Sequence, residues 1–211
     1  MSRHIFTFLP HPNFSVLSFL ALLTTGCNSA LEQPQYLAYL NDSKHGLTQT
    51  QEINGATVTC SYRPTDLLVS QELAGQENEA TAPTLDAVRR TYLGKVYCTL
   101  ALSRDGAEIE NGVIRDELAF GQAISYLSNG IAQNVFLRGA GQADSVSALA
   151  ATYPRQYGNT GRSTVLLVFA APKLDITRGF TISYRDTQFN LGPMRFAFSA
   201  NDIQDLPALQ F

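Results

Sequence analysis

Polar and apolar residues alternate with period two along several short stretches of this chain. Thr57-Val58-Thr59-Cys60-Ser61-Tyr62 is one such stretch, the mark of a half-buried strand. Lys95 to Leu102 is another, with Val96, Cys98, Leu100 and Leu102 on one face. Asp105-Gly106 follows with the chemistry of a hairpin turn. Thr164 to Ala171 is a continuous apolar run, short and β-branched, as expected of a strand buried on both faces. Phe180 to Tyr184 alternates, and so does Met194 to Ser199 after a turn at Gly192-Pro193; Ile131 to Arg138 alternates more weakly. The helical signals are shorter. Thr65 and Asp66 open a helix within Pro64 to Leu73, and Thr84 to Tyr92 forms a second. Arg115 to Leu127 is the strongest, with Leu118, Phe120, Ile124 and Leu127 near one face.

Two polar stretches, Ala74 to Pro83 and Gly139 to Arg162, read as loops. No repeat is present. Short strands separated by turn signals predict a mainly β chain with α+β decoration. The expected form is an Ig-like antiparallel β-sandwich with a few short helices inserted. Val168 to Pro172, Phe180 to Asp186 and Gly192 to Phe198 resemble the last strands of Ig-like domains of secreted bacterial proteins, which bears on the fold alone.

The start of the chain has a different pattern. Arg3 is the only fixed positive charge ahead of the apolar run Val16 to Leu23, which ends in Thr24, Thr25, Gly26 and Cys27. Charge, apolar core and small-residue cleavage region are the parts of a secretory signal. Phe14 to Thr25 would make about 18 Å of helix, against a hydrocarbon core about 30 Å thick, so it is too short to span. Leu22 to Cys27 resembles the bacterial lipobox, in which the Cys carries a diacylglyceryl thioether. Thr24 stands where Leu is usual, with Leu23 one place further back. The predicted organisation is a lipoprotein signal peptide over residues 1–26, a tether over 27–35 and one β-rich domain over 36–211. Lipidation at Cys27 places the chain in the cell envelope, held on the membrane by its N-terminal lipid. Asn28 after the Cys is compatible with sorting to the outer membrane.

Ala38-Tyr39-Leu40-Asn41 with Gly46-Leu47, Asn54-Gly55 and Tyr62-Arg63-Pro64 resembles the opening of a family of uncharacterised predicted lipoproteins of the Bacteroidetes. Tyr157-Gly158 and Asp202 to Leu209 match elements near the end of that family. The resemblance implies an envelope lipoprotein and assigns no activity.

Composition then narrows the chemistry. The leader holds one of the 15 Lys and Arg and none of the 18 Asp and Glu, leaving the mature chain at −4. Mild acidity is no footprint for nucleic acid. Of three His, His4 and His11 lie in the leader, so a Ser-His-Asp or Cys-His system would rest on His45, read as a solvated turn residue. There is no G-x-S-x-G, no CxxC or HExxH metal spacing and no phosphate-cradling glycine loop. Gly139-Ala140-Gly141 lacks the third glycine of a dinucleotide motif. Asp105, Glu108 and Glu110 read as exposed charge on a returning strand, with Ca²⁺ binding the sharper alternative. No catalytic residue, metal ligand or cofactor is therefore assigned.

Cys60 and Cys98 both occupy inward strand positions. Buried free thiols and a disulfide both fit, and export to an oxidising compartment favours the disulfide. Gly139 to Arg162 is longer than a connection needs. It carries Tyr153, Arg155 and Tyr157, residue types enriched at binding hot spots. Two readings compete for it: a partner-binding loop, and a mobile loop holding a short helix over Asp144 to Thr152. The functional expectation is a binding or structural envelope lipoprotein, not an enzyme, with an unidentified protein or glycan partner. An Ig-like protease inhibitor of the envelope, and then a hydrolase, are the alternatives.

Overall fold

The computed structural model describes residues 30–74 and 82–211, so the leader and Cys27 lie outside the described residues. The chain is mostly β, in two antiparallel sheets with several short helices. The first sheet contains β1 (Thr48–Ile53), β2 (Ala56–Tyr62), β3 (Lys95–Arg104), β8 (Ser163–Ala170) and β7 (Ala150–Thr152) in that order, with β4 (Ala107–Glu108) pairing β3 beyond this path. The second runs β10 (Pro193–Phe198), β9 (Phe180–Arg185), β5 (Val135–Gly139) and β6 (Val146–Ser147).

Five of the strands follow from period-two patterning and a sixth, β8, from a continuous apolar run. In β2 and β3 the buried faces are Ala56, Val58 and Cys60, and Val96, Cys98, Leu100 and Leu102. The β8 run, expected to be buried on both faces, is buried on one: Ser163, Val165, Leu167 and Phe169 are sealed, while Thr164, Leu166 and Val168 are half-buried. Three strands carried no strong signal. β1 is Thr-Gln-Thr-Gln-Glu-Ile, polar because it lies at the edge of its sheet. It turns into β2 through Asn54 and Gly55, both at positive φ (49° and 74°), where a glycine second residue relieves the strain. The other two, β6 and β7, replace the short helix expected over Asp144 to Thr152.

Both sheets feed one apolar core. Tyr62 of the first sheet meets Phe180 of the second edge-to-face at 5.5 Å, and Phe180 stacks on Phe198 at 4.8 Å. Such aromatic pairs add to the burial of their rings. A different bond joins the sheets along one side. Gln49 donates from Nε2 to the Ala197 carbonyl and accepts the Ala197 N–H at 3.1 Å. Gln51 donates to the Arg195 carbonyl at 2.6 Å, and Asn54 to the Asn190 carbonyl at 2.8 Å. Side chains from β1 thus reach the backbone of β10 and its preceding turn where no strand ladder exists.

The helices are α1 (Gln33–Asn41), α2 (Thr65–Ala74), α3 (Ala82–Tyr92), α4 (Glu117–Ser125) and α5 (Ala200–Gln204). α4 starts later than expected because Asp116 caps it, accepting the Ala119 N–H at 3.0 Å. Its buried residue is Ala123, and Leu118, expected on the inner face, is 73% exposed. A wide turn over Tyr126–Gly130 continues the helix and buries Leu127. The described part of the tether is also ordered. Leu31 donates to the Ala208 carbonyl and accepts from the Gln210 N–H, both at 2.8 Å, and α1 begins at Gln33. Leu31 and the first residues of α1, within the stretch expected to be a tether, therefore pack with the rest of the described residues.

Gly179 precedes β9 at φ 85°, and a Cβ there would stand 2.7 Å from the Phe198 carbonyl oxygen. Gly179→Ala adds strain and a backbone clash, and should cost about 1–3 kcal/mol in urea unfolding. An unchanged midpoint would show that this corner yields freely.

Candidate functional site

Asp105 and Gly106 reverse the chain at φ 53° and 73°, and only two residues of β4 follow before the backbone coils into a 3-10 turn at Ile109–Val113. That early coiling changes what the acids do. Glu108 and Glu110 were expected on a solvent face, but they are 2% and 0% exposed. Burying a carboxylate is costly unless donors replace its water. The donors come from far along the chain. The Tyr153 and Ser163 hydroxyls donate to the two oxygens of Glu110. The Gly158 N–H donates to Glu108 Oε1 at 2.8 Å, and the Ile109 N–H to Ser163 Oγ at 3.0 Å. Burial, with the bond to Glu110, holds the Tyr153 phenol above its ordinary pKa. Both carboxylates are thus engaged with the chain's own donors.

This network pins the loop that carries the expected binding residues, and it divides them. Tyr153 is half-buried against the core. Arg155 and Tyr157 stand outside, and Tyr157 is 74% exposed. The Arg155 guanidinium lies 4.9 Å from the Phe120 ring centre and 4.5 Å from that of Tyr157. It is therefore held between two aromatic faces by cation–π attraction. Tyr157 adopts φ 53°, followed by Gly158 at 86°, which turns the loop back toward Glu108. The segment leading into and through α4 adds exposed Val113, Ile114 and Leu118. The loop presents an organic cation and an aromatic face on a fixed base, a surface suited to recognition.

Cys60 and Cys98 are free, buried thiols on neighbouring strands, and the bridge expected between them is not formed in this structure. Register explains their placement. Cys60 opposes Leu100 and Cys98 opposes Tyr62, so the two are diagonal neighbours. Diagonal positions lie about 7–8 Å apart, at the limit of what a disulfide closes without strand movement. Burial and a hydrogen bond with Cys60 push the Cys98 thiol well up, away from nucleophilic reactivity. His45 is half-buried, its ring stacked 3.6 Å from that of Tyr39. Among the described residues no three His, Cys, Asp or Glu side chains converge as metal ligands, and no helix is long and apolar enough to cross a membrane.

A second feature has no local sequence signal. Arg138, Arg185 and Arg195 share the outward face of the second sheet. Each sits alone within its own strand, so only the register of three strands reveals the grouping. Compared with protein-family models, curated proteins and solved structures, the chain matches none.

Glu110→Ala should leave the Tyr153 and Ser163 hydroxyls unpaired and cost about 2 kcal/mol or more in chemical denaturation. Glu110→Gln keeps an acceptor and should cost less; equal losses would show that cavity volume, not hydrogen bonding, sets the effect. For the thiols, labelling of the unreduced protein should find neither Cys60 nor Cys98 in the folded state and both after denaturation. Absence of both labels after denaturation would show that the strands shift and bridge.

Proposed function

We propose that this chain is a lipid-anchored envelope protein, sorted to the outer membrane, that acts by binding a protein or glycan through the Arg155–Tyr157 loop. The observation that carries the binding role is the stacking of Arg155 between Phe120 and Tyr157 above a buried carboxylate network. A loop fixed before its partner arrives loses little conformational freedom on binding. On this reading the chain acts by recognition and is not an enzyme.

Anchoring rests on the lipobox-like Leu22 to Cys27 and the resemblance to Bacteroidetes lipoproteins. The bonds at Leu31 give it a geometric consequence. Four residue steps from Cys27 to Leu31 reach no further than about 14 Å, so the anchored domain would ride directly on the bilayer. Dual acylation makes such attachment stable where one chain would not.

The connectivity supports an Ig-like form of the sandwich. In chain order β2, β3, β5, β7, β8, β9 and β10 take the places of strands A, B, C, D, E, F and G. Their pairing β2-β3-β8-β7 and β10-β9-β5 parallels the ABED and GFC sheets of that architecture. The inter-sheet cystine and core Trp of antibody domains have no counterpart, since the chain has no Trp and both described cysteines lie in one sheet.

Two measurements test the proposal. Metabolic acyl labelling should mark the wild type and not Cys27→Ser, which should leave the membrane fraction. Crosslinking in the intact envelope should yield a partner adduct that Arg155→Ala with Tyr157→Ala abolishes, with stability held within about 1 kcal/mol as for most surface changes. An adduct that survives this double substitution would move the binding role elsewhere.

A further inference from the structure

On the outward face of the second sheet, β10 contributes Arg195, β9 contributes Thr181, Ser183 and Arg185, and β5 contributes Phe136 and Arg138. Register fixes how these meet. Ser183 lies opposite Arg195 on one side and Phe136 on the other, while Arg138 opposes Thr181. In-register neighbours stand about 5 Å apart and same-face residues along a strand about 7 Å. Arg195, Arg185 and Arg138 therefore surround Ser183 from three directions: across the ladder, along its own strand and on the diagonal.

Arg138, Arg185 and Arg195 line a concavity of about 310 Å³ together with Phe136, Ala143, Ser145 and Ser183. A second hollow, about 470 Å³, shares Ser183, Arg185 and Arg195 with it and includes Asp186. Among the described residues the ion pairs are those of Arg89 with Asp66 and Asp86, so none of these three guanidiniums has a carboxylate partner. The nearest acid in sequence is spoken for. Asp186 accepts the Tyr184 hydroxyl and the backbone N–H groups of Gln188, Phe189 and Leu191. Arg185 rests 5.7 Å from the centre of the Phe136 ring, which steadies it at the rim.

Three like charges on one small face of a chain of net charge −3 repel one another, and among the described residues none of them is neutralised by a direct ion pair. We propose that this concavity is a binding site for a phosphoryl group, with Arg138, Arg185 and Arg195 as its donors and the Ser183 hydroxyl at its floor. The number of donors selects the class of ligand. One guanidinium fork saturates a carboxylate, whereas three forks lining one concavity supply donors enough for the three free oxygens and nearly double negative charge of a phosphate monoester. This site lies on residues separate from the Arg155–Tyr157 loop and does not depend on anchoring at Cys27.

The test is calorimetric titration of the full chain in non-ionic detergent with two probes, inorganic phosphate and glycerol phosphate. Saturable binding is expected for both, with Arg185→Gln and Arg195→Gln each weakening it about tenfold or more, the ordinary worth of a charged hydrogen bond. Arg90→Gln, an exposed arginine on α3, should leave it unchanged. Tighter binding of glycerol phosphate supports an esterified source such as a lipid headgroup, and tighter binding of phosphate supports the free anion. Absence of saturable binding to either probe overturns the proposal. So does binding that R185Q and R195Q leave intact while circular dichroism shows both variants folded.

Discussion

The burial of Glu110 sets the geometry of the loop end of this molecule. A carboxylate sealed from water without a cation beside it has to be met by donors, and the chain supplies two hydroxyls from distant segments. Meeting that requirement fixes the turn after β4, the start of β8 and the rise of the loop at Tyr153 relative to one another. Glu108 extends the same constraint to Gly158, at the far side of the loop tip. Arg155 and Tyr157 hold their stacked arrangement because both ends of their short segment are fastened to buried acids.

How far the sequence reveals this depends on whether the controlling partner is near or far. Strands β2, β3, β9 and β10 were legible because each carries its own two-residue alternation, and β8 because it is a short, β-branched apolar run, both local properties. β1 was not, since Gln49 and Gln51 put polar side chains on its inward face, opposite Cys60 and Val58, and leave no polar–apolar alternation to read. The burial of Glu110 was invisible for another reason. Acids after an Asp-Gly turn are ordinarily solvated, and the hydroxyls that overturn this lie 43 and 53 residues away. Arg138, Arg185 and Arg195 posed the same difficulty. Each is an unremarkable outward residue, and their meeting is a property of register between strands nearly fifty residues apart.

The two candidate surfaces differ in kind. The loop end offers a stacked cation and an exposed ring on a base of satisfied acids, a surface with shape and little net charge. The outer face of β5, β9 and β10 offers charge in excess and little relief. Between them lies one core shared by both sheets, rigid because its aromatic rings interlock across the interface. A chain held by its N-terminal lipid would keep both surfaces within a short reach of the bilayer, since the bonds at Leu31 leave little slack.

The glutamine bonds between β1 and β10 bear on how the protein behaves at high local concentration. An open strand edge is a template for another copy, and proteins confined to a membrane meet their copies often. Gln49, Gln51 and Asn54 occupy backbone groups of β10 and its preceding turn that a passing strand would otherwise recruit. At the opposite margins β6 and β7 are two and three residues long, too short to seed a ladder. The molecule thereby guards itself against fibrillar self-assembly with amide side chains that bear no charge, which leaves its electrostatic field free for recognition.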